Sequence, residues 1–144
     1  MIQNEREYRI TKSQAEKFAR ALEGFGANGA SDLPLAELQR SALASQLDEL
    51  REQLAEYDAL KSGGIREIAV HSLEELPLAL IRARIATGLS QKQLAERLGL
   101  KEQQIQRYES SAFAGASLHR LQDISGALGL RITGAIHLSA PVPR

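Results

Sequence analysis

Between Lys101 and Ser110 the chain reads Lys-Glu-Gln-Gln-Ile-Gln-Arg-Tyr-Glu-Ser. With Ile105 and Tyr108 on one face of a helix, the other face presents Lys101, Glu102, Gln103, Gln104, Gln106 and Arg107. Glutamine and arginine read base edges bidentately, glutamine on adenine and arginine on guanine. A purely solvated helix more often carries Glu–Lys pairs. The alternative is a small helical bundle with no groove to fill. Other chemistry lacks its parts. None of His71, His119 and His137 has a carboxylate or second histidine at metal-ligand spacing. His119 is expected at the exposed start of a helix, and His71 and His137 as outward residues on strands. Gly24-Phe-Gly-Ala-Asn-Gly lacks a preceding strand and a Lys–Ser/Thr ending, so it is no phosphate loop. No catalytic residue, metal site or cofactor is expected.

The elements that must position this helix are short and sharply punctuated. Leu76 to Thr87 forms a first helix ending at Gly88. Ser90 caps a second, Gln91 to Leu98, ending at Gly99. Lys101 to Ser110 is the third, and Ser117 caps a fourth, Leu118 to Leu128, ending at Gly129. A three-residue turn containing glycine between the second and third is the helix-turn-helix pattern. Leu94, Ala95, Leu98, Ile105 and Tyr108 face inward, with Ile81, Ile85, Leu89, Leu121, Ile124 and Leu128 completing a core. Ala95 must be small because the third helix crosses close above it.

Upstream, Thr11 to Phe25 is expected to be helical, capped by Thr11 or Ser13, with Ala15, Phe18, Leu22 and Phe25 on one face. Gly24 to Pro34 breaks the helix, and Asp32 caps the next one. Leu35 to Leu60 is the longest regular segment. Its Leu43, Leu47, Leu50, Leu54 and Tyr57 alternate 4, 3, 4, 3, a coiled-coil seam of two heptads. Such a stripe needs the Thr11 helix, a second chain, or both to cover it. The favoured reading is a helical hairpin that dimerises, and the alternative is a hairpin within a monomer. Ile65 to Val70 and Leu130 to Leu138 read as short strands that would most simply pair with each other, within or between chains.

The expected organisation is therefore mainly α. Residues 1–62 form an N-terminal hairpin or coiled-coil dimerisation arm, and 63–75 a linker with a short strand. Residues 76–129 form the helix-turn-helix domain, and 130–144 a C-terminal strand and tail. The 144 residues contain no cysteine and no tryptophan, with 18 Lys plus Arg balancing 18 Asp plus Glu. That excludes disulfide scaffolds, thiolate zinc sites and aromatic platforms for single strands. The neutral total conceals two unlike halves. Residues 1–75 carry nine basic and fourteen acidic side chains, a net of −5, while residues 76–144 carry nine and four, a net of +5. No run approaches the ~18 apolar residues of a membrane span, and the polar start lacks the apolar core of a signal peptide. A cytoplasmic protein, in bacterial cytosol or nucleoid, is expected.

Residues 80–129 resemble the Cro and phage-repressor helix-turn-helix regulators, also called the xenobiotic-response-element (XRE) type. The resemblance rests on Leu89-Ser90-Gln91, Leu94-Ala95, Leu98-Gly99, Ile105 and Tyr108-Glu109 occurring together. It implies a lambda-repressor-like domain of four to five helices that reads double-stranded operator DNA, as a dimeric repressor. By the same resemblance Ser90, Gln91 and Lys92 open the second helix at the DNA, Gln91 capping onto a phosphate and also able to reach a base. Glu102, Gln103, Gln106 and Arg107 face the major groove. Lys101 and Ser110 lie near phosphates, and Arg84 pairs with Glu109 as a buried structural ion pair. Two departures matter. The loop Ser110–Ser117 is uncharged, and Glu102 stands at a base-facing position, where it either accepts from cytosine or repels phosphate. A second resemblance, to HigA-type antitoxins, implies an acidic helical arm that neutralises a basic toxin. A third reading has the helix-turn-helix contacting protein rather than DNA.

Overall fold

The computed structural model describes residues 1–27 and 34–140, and all the regular structure in them is helical. Six helices follow in order: α1 (Glu5–Ala27), α2 (Pro34–Lys61), α3 (Leu76–Ala86), α4 (Gln91–Leu98), α5 (Glu102–Ser110) and α6 (Leu118–Ala127).

Helix α1 begins well before the Thr11 start that periodicity indicates. Its cap is reciprocal: the Glu7 N–H donates to the Asn4 side chain at 2.9 Å, and the Gln3 N–H donates to the Glu7 carboxylate at 2.8 Å. The first bond satisfies an orphan donor at the helix start, and the second ties the residue before the cap to the first turn. The helix also runs through Gly24 and Gly26 to Ala27. The expected turn at 28–33, with Asp32 as a cap, lies outside the described residues.

Helices α1 and α2 pack along each other as a hairpin. Leu47 and Tyr57 are buried, Leu43, Leu50 and Leu54 are partly covered, and the Tyr8 and Tyr57 rings lie 5.2 Å apart. The seam is thus covered within one chain rather than standing free for a second. Its far end keeps Leu35 and Leu38 exposed.

The near end of the hairpin is part of the core of the C-terminal helices. Ile2, Tyr57 and Leu60 join Leu80, Ile81, Ile85, Leu94, Ile105, Phe113, Ile124 and Leu128 in one cluster. Arg82 reinforces the junction by donating to Glu56 at 2.6 Å. Truncating a fully buried member such as Ile81 or Ile105 would cost about 2–5 kcal/mol.

The two expected strands are a correction, since neither forms. Residues 64–71 and 130–139 are neither helix nor strand, and no backbone hydrogen bond joins them among the described residues. Strand geometry needs a partner edge, and the fold brings none to either run.

Two local conformations are decided by backbone sterics. Gly99 closes α4 in the left-handed region at φ +67°, where a Cβ is disfavoured. Ala112 and Phe113 occupy the same region at φ 49° and 57° without being glycine. They do so because the turn drives Phe113 into the core, stacked 6.0 Å from Tyr108, with its N–H on the Tyr108 carbonyl at 2.7 Å.

Ala112→Gly is expected to stabilise the fold by about 1 kcal/mol by relieving this strain. The measurement is the urea midpoint at unchanged slope. A second expectation concerns Tyr57. Burial, and the hydrogen bond from its hydroxyl to Glu5, push its pKa from 10.0 up to about 12. A phenol held neutral in this way contributes its full stability below its ordinary pKa. That contribution is lost as pH rises through the folded value. Stability should therefore decline between about pH 10 and 12, and Tyr57→Phe should remove the tyrosine's share of that slope in alkaline unfolding curves.

Candidate nucleic-acid interface

The site is built around a charge pair with almost no exposure. Arg84 of α3 meets Glu109 of α5 in two parallel contacts, Nε to Oε1 at 2.5 Å and Nη2 to Oε2 at 2.9 Å. Their side chains are 3% and 1% exposed. The remaining hydrogen-bonding capacity is used locally. Arg84 also donates to the carbonyls of Leu89 at 2.8 Å and Gln3 at 2.6 Å. The Gln91 amide donates to Glu109 Oε2 at 2.7 Å. A fork-to-fork pair of this kind fixes orientation as well as distance. It locks the end of α5 to α3, to the turn before α4 and to the start of the chain.

Helices α4 and α5 cross on Leu94, Ala95 and Ile105, all buried. Ser90 caps α4 reciprocally, accepting from the Gln93 N–H at 3.0 Å while its own N–H donates to the Gln93 side chain at 2.9 Å. At α5 the Lys101 N–H donates to the Gln104 side chain at 2.9 Å, which gives Gln104 a structural task. With Ile105 and Glu109 inward, α5 turns Glu102, Gln103, Gln106 and Arg107 to solvent, with Lys101 and Ser110 exposed at its ends. Lys92 and Ser90 are exposed at the start of α4. Gln106 reaches back toward the Glu102 carboxylate at 3.4 Å, so these two form a loose pair on the outer surface.

Gln91 departs from its expected role. It is 4% exposed. Its amide donates to Glu109, and its carbonyl oxygen accepts from Asn4 at 3.2 Å. The structure gives this side chain to the core, and the cause is the first turn of α1. That turn adds groups the motif does not indicate, because Gln3 also donates to the Glu109 carbonyl at 3.0 Å. The Asn4-x-x-Glu7 cap signature was the available signal that a helix starts there.

A groove of about 810 Å³ separates the first turns of α1 from the exposed side of α4 and α5, with Arg6, Glu7 and Ile10 on one wall and Ser90, Gln106 and Arg107 on the other. The acids on the α1 wall are already engaged. Glu5 is 3.4 Å from Lys61 and accepts from Tyr57, and Glu7 is used in the α1 cap. Glu5 is thus partly offset by Lys61, while Glu7 keeps its charge on this wall.

The histidines stand apart from this site. His119, expected to have no carboxylate at metal-ligand spacing, has Asp123 one turn away at 3.7 Å, as an exposed surface pair. Among the described residues no group of three or more His, Asp or Glu is placed to hold a metal ion. No helix among them is long and apolar enough to cross a membrane.

A family model described as helix-turn-helix matches residues 80–134, the segment from α3 through α6. Its type is the XRE, DNA-binding and transcription-regulating one. No curated protein and no solved structure matches the chain.

Breaking the buried pair from one side should be far worse than its net worth. Arg84→Met or Glu109→Gln leaves a desolvated charge and is expected to cost roughly 3–5 kcal/mol in chemical unfolding.

Proposed function

We propose that the chain, whose residues 80–134 form a helix-turn-helix domain of the Cro and phage-repressor type, is a sequence-specific operator-binding repressor that acts as a dimer. The observation that carries this reading is the division of α5. Its inward face is Ile105 and the paired Glu109, while Gln103, Gln106 and Arg107 stand exposed on a helix held rigid from beneath. Amide and guanidinium groups on a fixed helix are suited to base edges in a major groove. Lys92 and Lys101 flank them at the positions where phosphates would pass. One nine-residue helix contacts few bases, so useful specificity calls for two copies on half-sites about 34 Å apart. Repression is steric, by occupation of a promoter.

A second reading, that of an antitoxin, draws on the far part of α2. There Leu35 and Leu38 are exposed on a helix whose outer face carries Glu37, Asp48, Glu49 and Glu52. An acidic surface with apolar anchors suits a basic protein partner. A short basic reading frame beside this gene, whose product co-purifies with the chain, would support it.

Selection of bound sequences from random duplex DNA tests the main reading, and it should return a two-fold-related pair of half-sites. On the selected site, Arg107→Ala and Gln103→Ala should each cost about 1–3 kcal/mol and relax one base position. Lys101→Ala should instead weaken all sequences alike and lower the salt slope by about one unit per copy. Affinity that is flat with salt, or unchanged in Arg107→Ala and Gln103→Ala, would refute the proposal.

A further inference from the structure

Residues 130–138 read Leu-Arg-Ile-Thr-Gly-Ala-Ile-His-Leu. The run is nearly palindromic about Gly134. Leu130 mirrors Leu138, Arg131 mirrors His137, Ile132 mirrors Ile136 and Thr133 mirrors Ala135. Alternation places Leu130, Ile132, Gly134, Ile136 and Leu138 on one face of an extended chain.

The fold leaves this run unused. Ile132 is 55% exposed, Ile136 92% and Leu138 91%. From residue 131 to 139 no backbone group bonds to another backbone group among the described residues. Leu130 is the exception: it packs against the core, and its N–H is held by the Ser125 carbonyl at 3.0 Å. The run thus leaves a fixed root with a bare edge and bare apolar side chains. Such an edge is a template for pairing with another strand.

The geometry points to a second copy of this chain as its occupant, in an antiparallel ribbon whose dyad passes through Gly134. This deepens the dimeric reading above by naming the surface. A two-fold interface requires a patch complementary to itself, and a palindromic strand meets that requirement. Ile132 then opposes Ile136 of the second copy. Leu138 arrives at the Leu130 that is rooted in the other copy's core. Arg131 and His137 share the opposite face, and glycine at the dyad lets the two backbones approach. A one-residue slip would set apolar residues against polar ones, and moving the dyad by one residue would set Gly134 against an isoleucine and lose the Leu130–Leu138 pair.

The absence of cysteine makes the test clean. Directly opposed residues in an antiparallel pair have Cα atoms about 4.5–5.5 Å apart, within disulfide reach. Under mild oxidation of the full-length protein, Gly134→Cys should form a covalent dimer rapidly. Ile136→Cys alone should not, because its symmetry mate lies four residues along, roughly 13 Å away. The double variant Ile132→Cys/Ile136→Cys should cross-link. Ile136→Asp alters a side chain exposed in the single chain, so its helical circular dichroism should be unchanged. Sedimentation should show that variant as a monomer, with wild-type affinity for a single half-site duplex and at least tenfold weaker binding to the paired site. A wild-type monomer would overturn the inference. So would an Ile136→Asp variant that remains dimeric, or equal cross-linking through Gly134→Cys and Ile136→Cys. None of these results depends on DNA, so failure of the operator reading would show separately, as absence of half-site binding by the wild type.

Discussion

Everything on the exposed side of α4 and α5 depends on a guanidinium and a carboxylate taken out of water together. Neither Arg84 nor Glu109 could be buried alone, since an unpaired ion in the interior costs several kcal/mol. The pair is tolerable because the atoms around it are saturated, and no buried side-chain nitrogen or oxygen among the described residues lacks a partner. Saturation takes contributions from four places: the paired groups on α3 and α5, the Leu89 carbonyl, the Gln91 amide and the Gln3 carbonyl. A helix anchored this way cannot rock on its neighbours without exposing a charge to an apolar core. The ion pair is therefore better understood as a device for orientation than as a source of net stability.

The same arrangement explains why the N-terminal hairpin is continuous with the reader instead of tethered to it. Gln3 and Asn4 reach Arg84, Glu109 and Gln91, while Ile2, Tyr57 and Leu60 fill the core beside them. A force applied to the far end of α2 would be transmitted through packed side chains and the Arg82–Glu56 bond, not lost in a linker. The acidic hairpin and α5 therefore share one packed core.

Legibility followed the range of the interactions. Helices α3 to α6 were readable because their limits are set locally, by Ser90 and Ser117 as caps and by Gly88, Gly99 and Gly129 as stops. The hairpin was readable from heptad spacing, although spacing alone left open whether α1 or a second chain covered the seam. Three features were not legible. The start of α1 is set by a side-chain cap at Asn4 and Glu7, outside the apolar periodicity. The burial of Gln91 depends on Asn4, 87 positions away, and no local pattern encodes that. The strands failed because a ladder is a property of two edges, and the alternation at 130–138 specifies only one.

Net charge, split at residue 75, needs a further correction before it can describe the reader. Of the basic residues after that point, Arg84 is consumed by Glu109 and Arg82 by Glu56. Arg97 donates to the Ala127 carbonyl but keeps its charge, Arg120 lies between Asp123 and the Tyr108 ring, and Arg131 is exposed beyond α6. Lys92, Lys101 and Arg107 remain exposed around α5. With roughly one counterion released per neutralised phosphate, these three cations and Arg6 across the groove give weak non-specific attraction. A reader of this kind gains little from bulk electrostatics. On the dimeric reading proposed above, discrimination comes from the amides and guanidinium of α5, and affinity from presenting two such helices at once.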